Sequence, residues 1–238
     1  MKFFALFLLI PLLIISLSAC AGHEQRTSEM TIRQGIDNAY GVQYFPQVEQ
    51  IQYTFNVKVG EEQISRFWIW EPKVNRVTFK GMDYRQSVTY YRHEIEKTAS
   101  SALKKVDAWF INDNYWLLFP FHIVWDTDAK VEDVGRRKLP IGNGRAECVV
   151  VTYPATEERY APGDVYEVYL ADNYRLLQWA YRRGGSDKPT SIATWENHRQ
   201  VGPLVVALNH QGEDENFRVW FTGVGIKLTG SDSWMFAE

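Results

Sequence analysis

The sequence predicts an α+β fold, in which antiparallel strands form the sheet and helices pack against it. Two observations indicate this fold. Strand-like segments follow one another through short turns, without the long crossovers that parallel strands need. One segment, residues 98–110, instead has apolar residues at helical spacing and separates two strand-rich regions.

A hydrophobic leader begins the chain. Lys2 precedes a nearly continuous apolar run from Phe3 to Leu17, and small residues follow it. This pattern is typical of an export signal, and the run is shorter than the roughly 20 residues of a membrane span. We therefore expect residues 1–19 to be a signal peptide; an ordinary secretory signal and an uncleaved anchor are the alternatives.

The end of the leader, Leu17-Ser18-Ala19-Cys20, resembles the lipobox of bacterial lipoproteins. That resemblance implies cleavage before Cys20 and lipidation of Cys20 with acyl chains of the palmitate type. Two or more chains hold a protein stably on a membrane. Because Ala21 and not Asp follows the cysteine, the resemblance also implies an outer-membrane lipoprotein facing the periplasm of a two-membrane bacterium.

The residues after Cys20 predict a tether and one folded domain. Residues 20–30 are polar and aperiodic, so we interpret them as the lipidated cysteine and a tether, and residues 31–238 as a single β-rich domain. Thr31 and Gln34 have the spacing of a capping box. Ile32, Ile36 and Tyr40 then recur every four residues before Gly41, which predicts a short amphipathic helix.

The first strand-rich region has the alternation of a half-buried sheet. Apolar residues alternate with polar ones from Ile51 to Val59, and Gly60 begins a turn. Three further strands are predicted at 64–70, 74–80 and 86–95. They form a meander of hairpins.

A helix is predicted for 98–110, ending at Asn112-Asp113-Asn114. The apolar segment 115–125 should then lie under the sheet, and 126–145 should be polar and turn-rich. The later strands are predicted at the following segments: 146–153, 165–170, 176–183, 190–197, 204–209 and 217–222.

Composition excludes some functions. The net charge is −3, without a basic patch, so nucleic acid is not an expected partner. If Cys20 carries lipid, Cys148 is the remaining cysteine, and its Val-rich surroundings predict a buried, unreactive thiol. We found no His-Glu-x-x-His motif, Walker loop or Gly-x-Ser-x-Gly motif, so we expect no catalytic residues, no metal and no cofactor.

Aromatic residues are the most informative set, since the chain has 9 Trp, 13 Tyr and 13 Phe. A packed core beneath the helices would explain them. A concave apolar cavity for an acyl chain or another hydrophobic small molecule would explain them equally well. The candidate cavity residues are Trp68, Trp70, Trp116, Phe119, Phe121, Trp125, Trp179, Trp195 and Trp220.

The order of elements resembles that of the Lol-type lipoprotein carriers and receptors (LolA/LolB-like). The resemblance rests on Val48–Lys80 with Phe79-Lys80-Gly81, on Tyr166–Leu177, and on Thr194–Asn197 through Leu204–Val206. It implies an antiparallel β half-barrel whose concave face is covered by helices and takes lipid acyl chains. The receptor's protruding hydrophobic loop and the carrier's gating arginine have no counterpart that we can place.

We therefore expect a membrane-anchored, periplasm-facing lipoprotein that binds or transfers a lipid or other hydrophobic ligand. A non-catalytic scaffold that holds an envelope protein partner is the first alternative. A periplasmic enzyme whose site is assembled only in space is the second.

Overall fold

The computed structural model describes residues 30–81, 87–95, 99–156 and 162–238. The predicted signal peptide (1–19), Cys20 and the tether up to residue 29 lie outside the described residues.

The first helix, α1 (Ile32–Tyr40), begins and ends where the sequence predicts. The Thr31 hydroxyl accepts a hydrogen bond from the backbone of Gln34, whose side chain accepts from the Thr31 backbone, so the capping box is confirmed. Gly41 ends the helix with a left-handed φ of 69°, which glycine adopts without strain. Ile36 and Tyr40 are fully buried and attach the helix to the core.

Strands make up almost half of the described residues. Their bounds are β1 (Val48–Val59), β2 (Glu62–Glu71), β3 (Arg76–Lys80), β4 (Ser87–Tyr91), β5 (Lys130–Lys138), β6 (Arg145–Thr152), β7 (Val165–Leu170), β8 (Leu176–Arg182), β9 (Ser191–Thr194), β10 (Glu196–Val201), β11 (Leu204–Gln211), β12 (Phe217–Leu228) and β13 (Met235–Phe236).

The strands form two antiparallel sheets. The first has the order β10-β11-β12-β1-β2-β3-β4, with β13 also paired to β12, and the second has the order β5-β6-β7-β8-β9. All pairs are antiparallel, as the short turns predicted. An isolated bridge between Ala193 and Gly212 connects the two sheets. The Thr194 hydroxyl accepts a hydrogen bond from the backbone N–H of Gln211 beside it.

A long helix, α2 (Ser101–Trp125), lies between the sheets. The predicted stop at Asn112-Asp113-Asn114 was wrong. Asp113 and Asn114 are polar residues that usually compete with helical backbone, but their side chains here bind Arg66, Trp68 and His122 instead. The helix therefore continues through the apolar segment, which lies in the core as predicted.

The second half of α2 is bent and buried. Leu118 has φ −115° and ψ 19°, two residues before Pro120. Proline lacks an N–H and its ring collides with the preceding turn, which explains the bend. Leu117 and Phe121 lie on one side of the helix and Phe119 on the opposite side. All three are fully buried, so protein surrounds this segment. None of the helices in the described ranges is long and apolar enough to span a membrane.

Two strand predictions also need correction. The polar segment 126–145 contains β5, an edge strand of the second sheet whose residues are mostly exposed and therefore lack apolar alternation. The predicted strand 190–197 is divided into β9 and β10, which belong to different sheets. Trp195, between them, is almost fully buried where the chain passes from one sheet to the other.

Candidate functional site

A cleft of about 1020 Å³ lies between the two sheets and beside α2. Its lining residues include members of β1, β2 and β12 of the first sheet, of β7, β8 and β9 of the second, and of the middle of α2. Its volume is at the upper end of the range of small-molecule sites, about 300–1,000 Å³. The cleft is therefore large enough for an extended organic ligand.

Aromatic rings form the floor of the cleft. The ring centroids of Trp116 and Trp179 are 4.6 Å apart, and Tyr166 is 5.3 Å from Trp179. Phe217, from β12, completes this floor at 5.9 Å from Trp116. The indole N–H of Trp179 is buried and has no hydrogen-bond partner among the described residues. The floor is therefore mainly apolar, with one unused hydrogen-bond donor.

One side of the cleft is held by a buried ion pair. Two guanidinium nitrogens of Arg66 donate to the two carboxylate oxygens of Asp113, at 2.7 and 2.6 Å. The indole of Trp68 also donates to Asp113, at 2.9 Å. Burial raises the pKa of Asp113, whereas Arg66 and the other donors act against that shift. This ion pair connects β2 to α2 and fixes the position of the Arg66 guanidinium, which lines the cleft.

The opposite wall is organised by Asp164, which is 2% exposed. Its carboxylate accepts a hydrogen bond from the Tyr181 hydroxyl at 2.8 Å and another from the backbone of Gly184 at 2.7 Å. Burial raises the pKa of Tyr181 to about 12, and the bond to Asp164 adds to that shift. Asp164 thus fastens the turn at 183–185 to the wall.

The mouth of the cleft carries charged side chains. Arg183 is exposed on one side, and Glu213 and Asp214 are exposed on the other. The aromatic floor and this charged mouth give the cleft an amphipathic character.

Four of the nine candidate cavity residues line a cavity. Trp116 and Trp179 line the cleft. Trp70 and Trp125 line a second, smaller cavity of about 330 Å³ between the β2–β3 hairpin and α2.

The other five candidates do not line the cleft. The residues packed inside the core are Trp68, Phe119, Phe121 and Trp195. Trp220 lies on β12 between the buried residues Val219 and Phe221, so it belongs to the other face of that strand, where the Arg218 guanidinium lies 5.1 Å from its ring. Alternation along β12 indicates that orientation, because successive strand residues point to opposite faces.

Several lining residues were not among the candidates. Tyr166 and Phe217 could have been found from alternation, since each begins an apolar face of its strand. Asp164 and Tyr181 could not be found from alternation, because their contact joins the residue before β7 to a residue of β8, 17 positions away.

Other reactive groups do not line the cleft. Cys148 is buried as predicted, and burial raises the pKa of its thiol to about 11. His210 is fully buried, and its Nδ1 donates to the Thr194 carbonyl, at 3.1 Å. Burial lowers the pKa of His210 to about 3, so this ring is neutral at physiological pH. Within the described ranges, no three His, Cys, Asp or Glu side chains are grouped to hold a metal ion.

Comparisons with known proteins find similarity among solved structures. No family model matches the chain, and no curated protein matches it. Among solved structures, the chain is similar to a DUF1329 family protein from Desulfovibrio piger, with 8% sequence identity and a TM-score of 0.46. The similarity covers 84% of this chain and 95% of that chain. A similarity at this level does not assign a function.

Proposed function

We propose that this protein binds, or passes on, a lipid or other hydrophobic ligand in the cleft between its two sheets. The observation that carries the proposal is the aromatic floor of a cleft of about 1020 Å³. Burial of apolar ligand surface there supplies the driving force, at about 25 cal/mol per Å². The charged mouth suits a ligand with one polar end.

The connection of the sheets supports a half-barrel of the Lol type. Through the isolated bridge between Ala193 in β9 and Gly212, which directly follows β11, the series β5-β6-β7-β8-β9 adjoins the series β4-β3-β2-β1-β12-β11 to form one combined series, in which β10 also pairs with β11. The helix α2 lies against this series on its core side. A curved open sheet with a helix on its concave face leaves room for a ligand between them.

The resemblance of Leu17-Ser18-Ala19-Cys20 to a lipobox supports a location of this cleft near a membrane. Lipid on Cys20 would anchor the chain in the outer membrane, facing the periplasm, where acyl-chain ligands are abundant. Ten residues of tether reach at most about 36 Å. The cleft could therefore receive its ligand from the bilayer that holds the anchor.

The experiment compares a blocked cleft with an open one. The full chain, purified in detergent and exchanged into vesicles, is titrated with an environment-sensitive hydrophobic dye that palmitate can displace. Ile192→Trp adds an aromatic ring to the lining of the cleft. Val134→Trp adds the same ring at an exposed position on β5 and serves as the control.

We expect palmitate to displace the dye from the wild type and from Val134→Trp. In Ile192→Trp we expect dye binding to fall at least about tenfold, because the added indole occupies volume that the ligand would fill and close-packed sites accommodate extra atoms poorly. Equal binding by both variants would contradict the proposal. A wild-type protein that binds no dye but co-purifies with an envelope protein in a fixed ratio would support the scaffold alternative.

The anchor has its own test. Cys20→Ser should remove acyl labelling and release the protein from the membrane fraction. Membrane retention of this variant, with no acyl label on the wild type, would refute the lipobox interpretation without affecting the cleft.

A further inference from the structure

A nearly buried tyrosine on the floor of the cleft has an unused hydroxyl group. Tyr166 is 5% exposed and lines the cleft. Its hydroxyl makes no hydrogen bond with any of the described residues, yet it is not one of the polar atoms that the protein encloses completely. This hydroxyl is therefore accessible from the cleft. Because most buried polar groups in folded proteins have a partner, it is a natural contact for a ligand.

Strand pairing fixes the surroundings of this hydroxyl. Tyr166 on β7 is the direct cross-strand partner of Tyr181 on β8, so both side chains lie on the same face of the second sheet. Their rings stack, with centroids 4.8 Å apart. The Tyr181 hydroxyl donates to Asp164 at 2.8 Å. The Tyr166 hydroxyl therefore lies on the side of the cleft that Asp164 organises, where Asp164 already accepts from the neighbouring tyrosine.

The Tyr166 hydroxyl is a hydrogen-bond donor at physiological pH. Burial raises the pKa of Tyr166 well above its usual value, and the neighbouring Tyr181 and Asp164 add to that shift, whereas Arg183 acts against it. The phenol therefore keeps its proton, and a phenol is a stronger donor than acceptor. A ligand group that pairs with it should be an oxygen acceptor.

Charges of both signs lie near this donor. Asp164 and Arg183 both act electrostatically on Tyr166, and both line the cleft. A carboxylate placed against Tyr166 would meet the like charge of Asp164, and an ammonium group would meet that of Arg183. Like charges brought together in a partly buried site cost free energy, because they are screened less than in water. A neutral acceptor, such as an ester carbonyl, avoids both costs.

We propose that the cleft selects a neutral fatty-acyl ester, whose carbonyl oxygen accepts a hydrogen bond from Tyr166 while its acyl chain lies against Trp116 and Phe217. This inference rests on the proposed function, since it names the class of hydrophobic ligand that the same cleft takes. The free fatty acid, in its ionised form, is then a weaker ligand of the cleft than its ester.

Three ligands with the same chain length test the assignment. Methyl palmitate carries the neutral carbonyl, palmitate at about pH 9 carries a carboxylate, and hexadecyl methyl ether carries no carbonyl. The full chain is placed with the hydrophobic dye in vesicles of ether-linked phospholipids, which contain no ester, and each ligand is added to the bilayer at increasing mole fraction. We expect methyl palmitate to displace half of the dye at a mole fraction at least about threefold lower than either of the others.

A variant of Tyr166 tests the donor. Tyr166→Phe removes the hydroxyl and keeps the ring, so it should weaken displacement by methyl palmitate at least about threefold and leave displacement by the ether unchanged. Tyr44→Phe is the matched control, because Tyr44 is 42% exposed and does not line the cleft. It should respond to both ligands like the wild type.

Infrared spectroscopy of the ester carbonyl gives a second readout that needs no variant. A carbonyl that accepts a hydrogen bond absorbs at a lower frequency than a free one. We expect part of the methyl palmitate band to move to lower frequency when the wild-type protein is present in the vesicles, and to stay unmoved with Tyr166→Phe.

Three outcomes would overturn the assignment to an acyl ester. They are equal displacement by methyl palmitate and palmitate, an equal response of Tyr166→Phe and Tyr44→Phe to methyl palmitate, and a carbonyl band that the wild-type protein does not move. In the first two the ligands still displace the dye, so lipid binding in the cleft would stand. If none of the three ligands displaces the dye, the proposed function itself fails, and the assignment fails with it.

Discussion

The buried ion pair between Arg66 and Asp113 should be a major determinant of stability. Replacing Asp113 with leucine keeps a side chain of similar size on α2 but removes the acceptor of both Arg66 bonds. The Arg66 side chain is 12% exposed and the Asp113 side chain 0%. The variant therefore leaves a nearly buried guanidinium without its counter-charge, and the Trp68 indole loses its acceptor as well.

The expected loss is large. Removing one partner of a buried ion pair costs about 3–5 kcal/mol, most of it from the charge left behind. Removing both partners should cost much less, so Arg66→Met combined with Asp113→Leu should recover most of the loss. An exposed pair serves as the control: Lys130 and Glu132 have side chains 68% and 46% exposed. Glu132→Leu should cost no more than about 1 kcal/mol.

Urea unfolding followed by tryptophan fluorescence measures all four proteins. We expect Asp113→Leu to lower the midpoint strongly, with the double variant closer to the wild type. A loss below about 1 kcal/mol for Asp113→Leu, or a double variant less stable than the single one, would refute this account of how β2 holds α2.

Three further predictions concern the core. The pKa of His210 is lowered from 6.5 to about 3, so the stability that its neutral form contributes is present above pH 6.5 and is lost as the pH falls toward 3. Because of this lowered pKa, the contribution of His210 to the free energy of unfolding should fall by about 2 kcal/mol between pH 7 and pH 5. His210→Asn should reduce this pH dependence of stability, and an unchanged pH dependence would contradict the lowered pKa of His210. In Gly35→Ala the new Cβ would lie 2.3 Å from the Tyr174 ring, and urea unfolding should show a loss of about 1–3 kcal/mol; a neutral substitution would show that Tyr174 moves freely. Cys148 should not react with a thiol reagent in the native protein at neutral pH, since its pKa is raised to about 11, and should react on unfolding; fast native labelling would contradict its burial.

Local sequence patterns were sufficient to predict a helix or strand that buries only one face. The capping box of Thr31 and Gln34 and the alternation in β1 gave their elements directly, because those signals lie within the element itself. The strand β7 was predicted with its observed bounds. The edge strand β5 was missed because both of its faces are largely polar.

Long-range contacts explain the remaining errors. Asn112-Asp113-Asn114 looks like a helix stop until Arg66, 47 residues away, is known to bind Asp113. The aromatic candidates could not be divided into cavity and core by sequence, since Trp116 and Phe119 both belong to the apolar segment of α2. Only the position of the second sheet decides that Trp116 faces the cleft and Phe119 the packed interior.

The central claim is that a hydrophobic ligand lies against Trp116 and Trp179. A fatty acid with bromine atoms on its chain tests it most directly, because bromine quenches tryptophans that it contacts. Of the 9 tryptophans, these two line the cleft. We predict that the brominated acid quenches the wild type, and that the double variant Trp116→Phe, Trp179→Phe loses most of this quenching while palmitate still displaces the hydrophobic dye. An absence of quenching in the wild type, or the same quenching in both proteins, would contradict the claim.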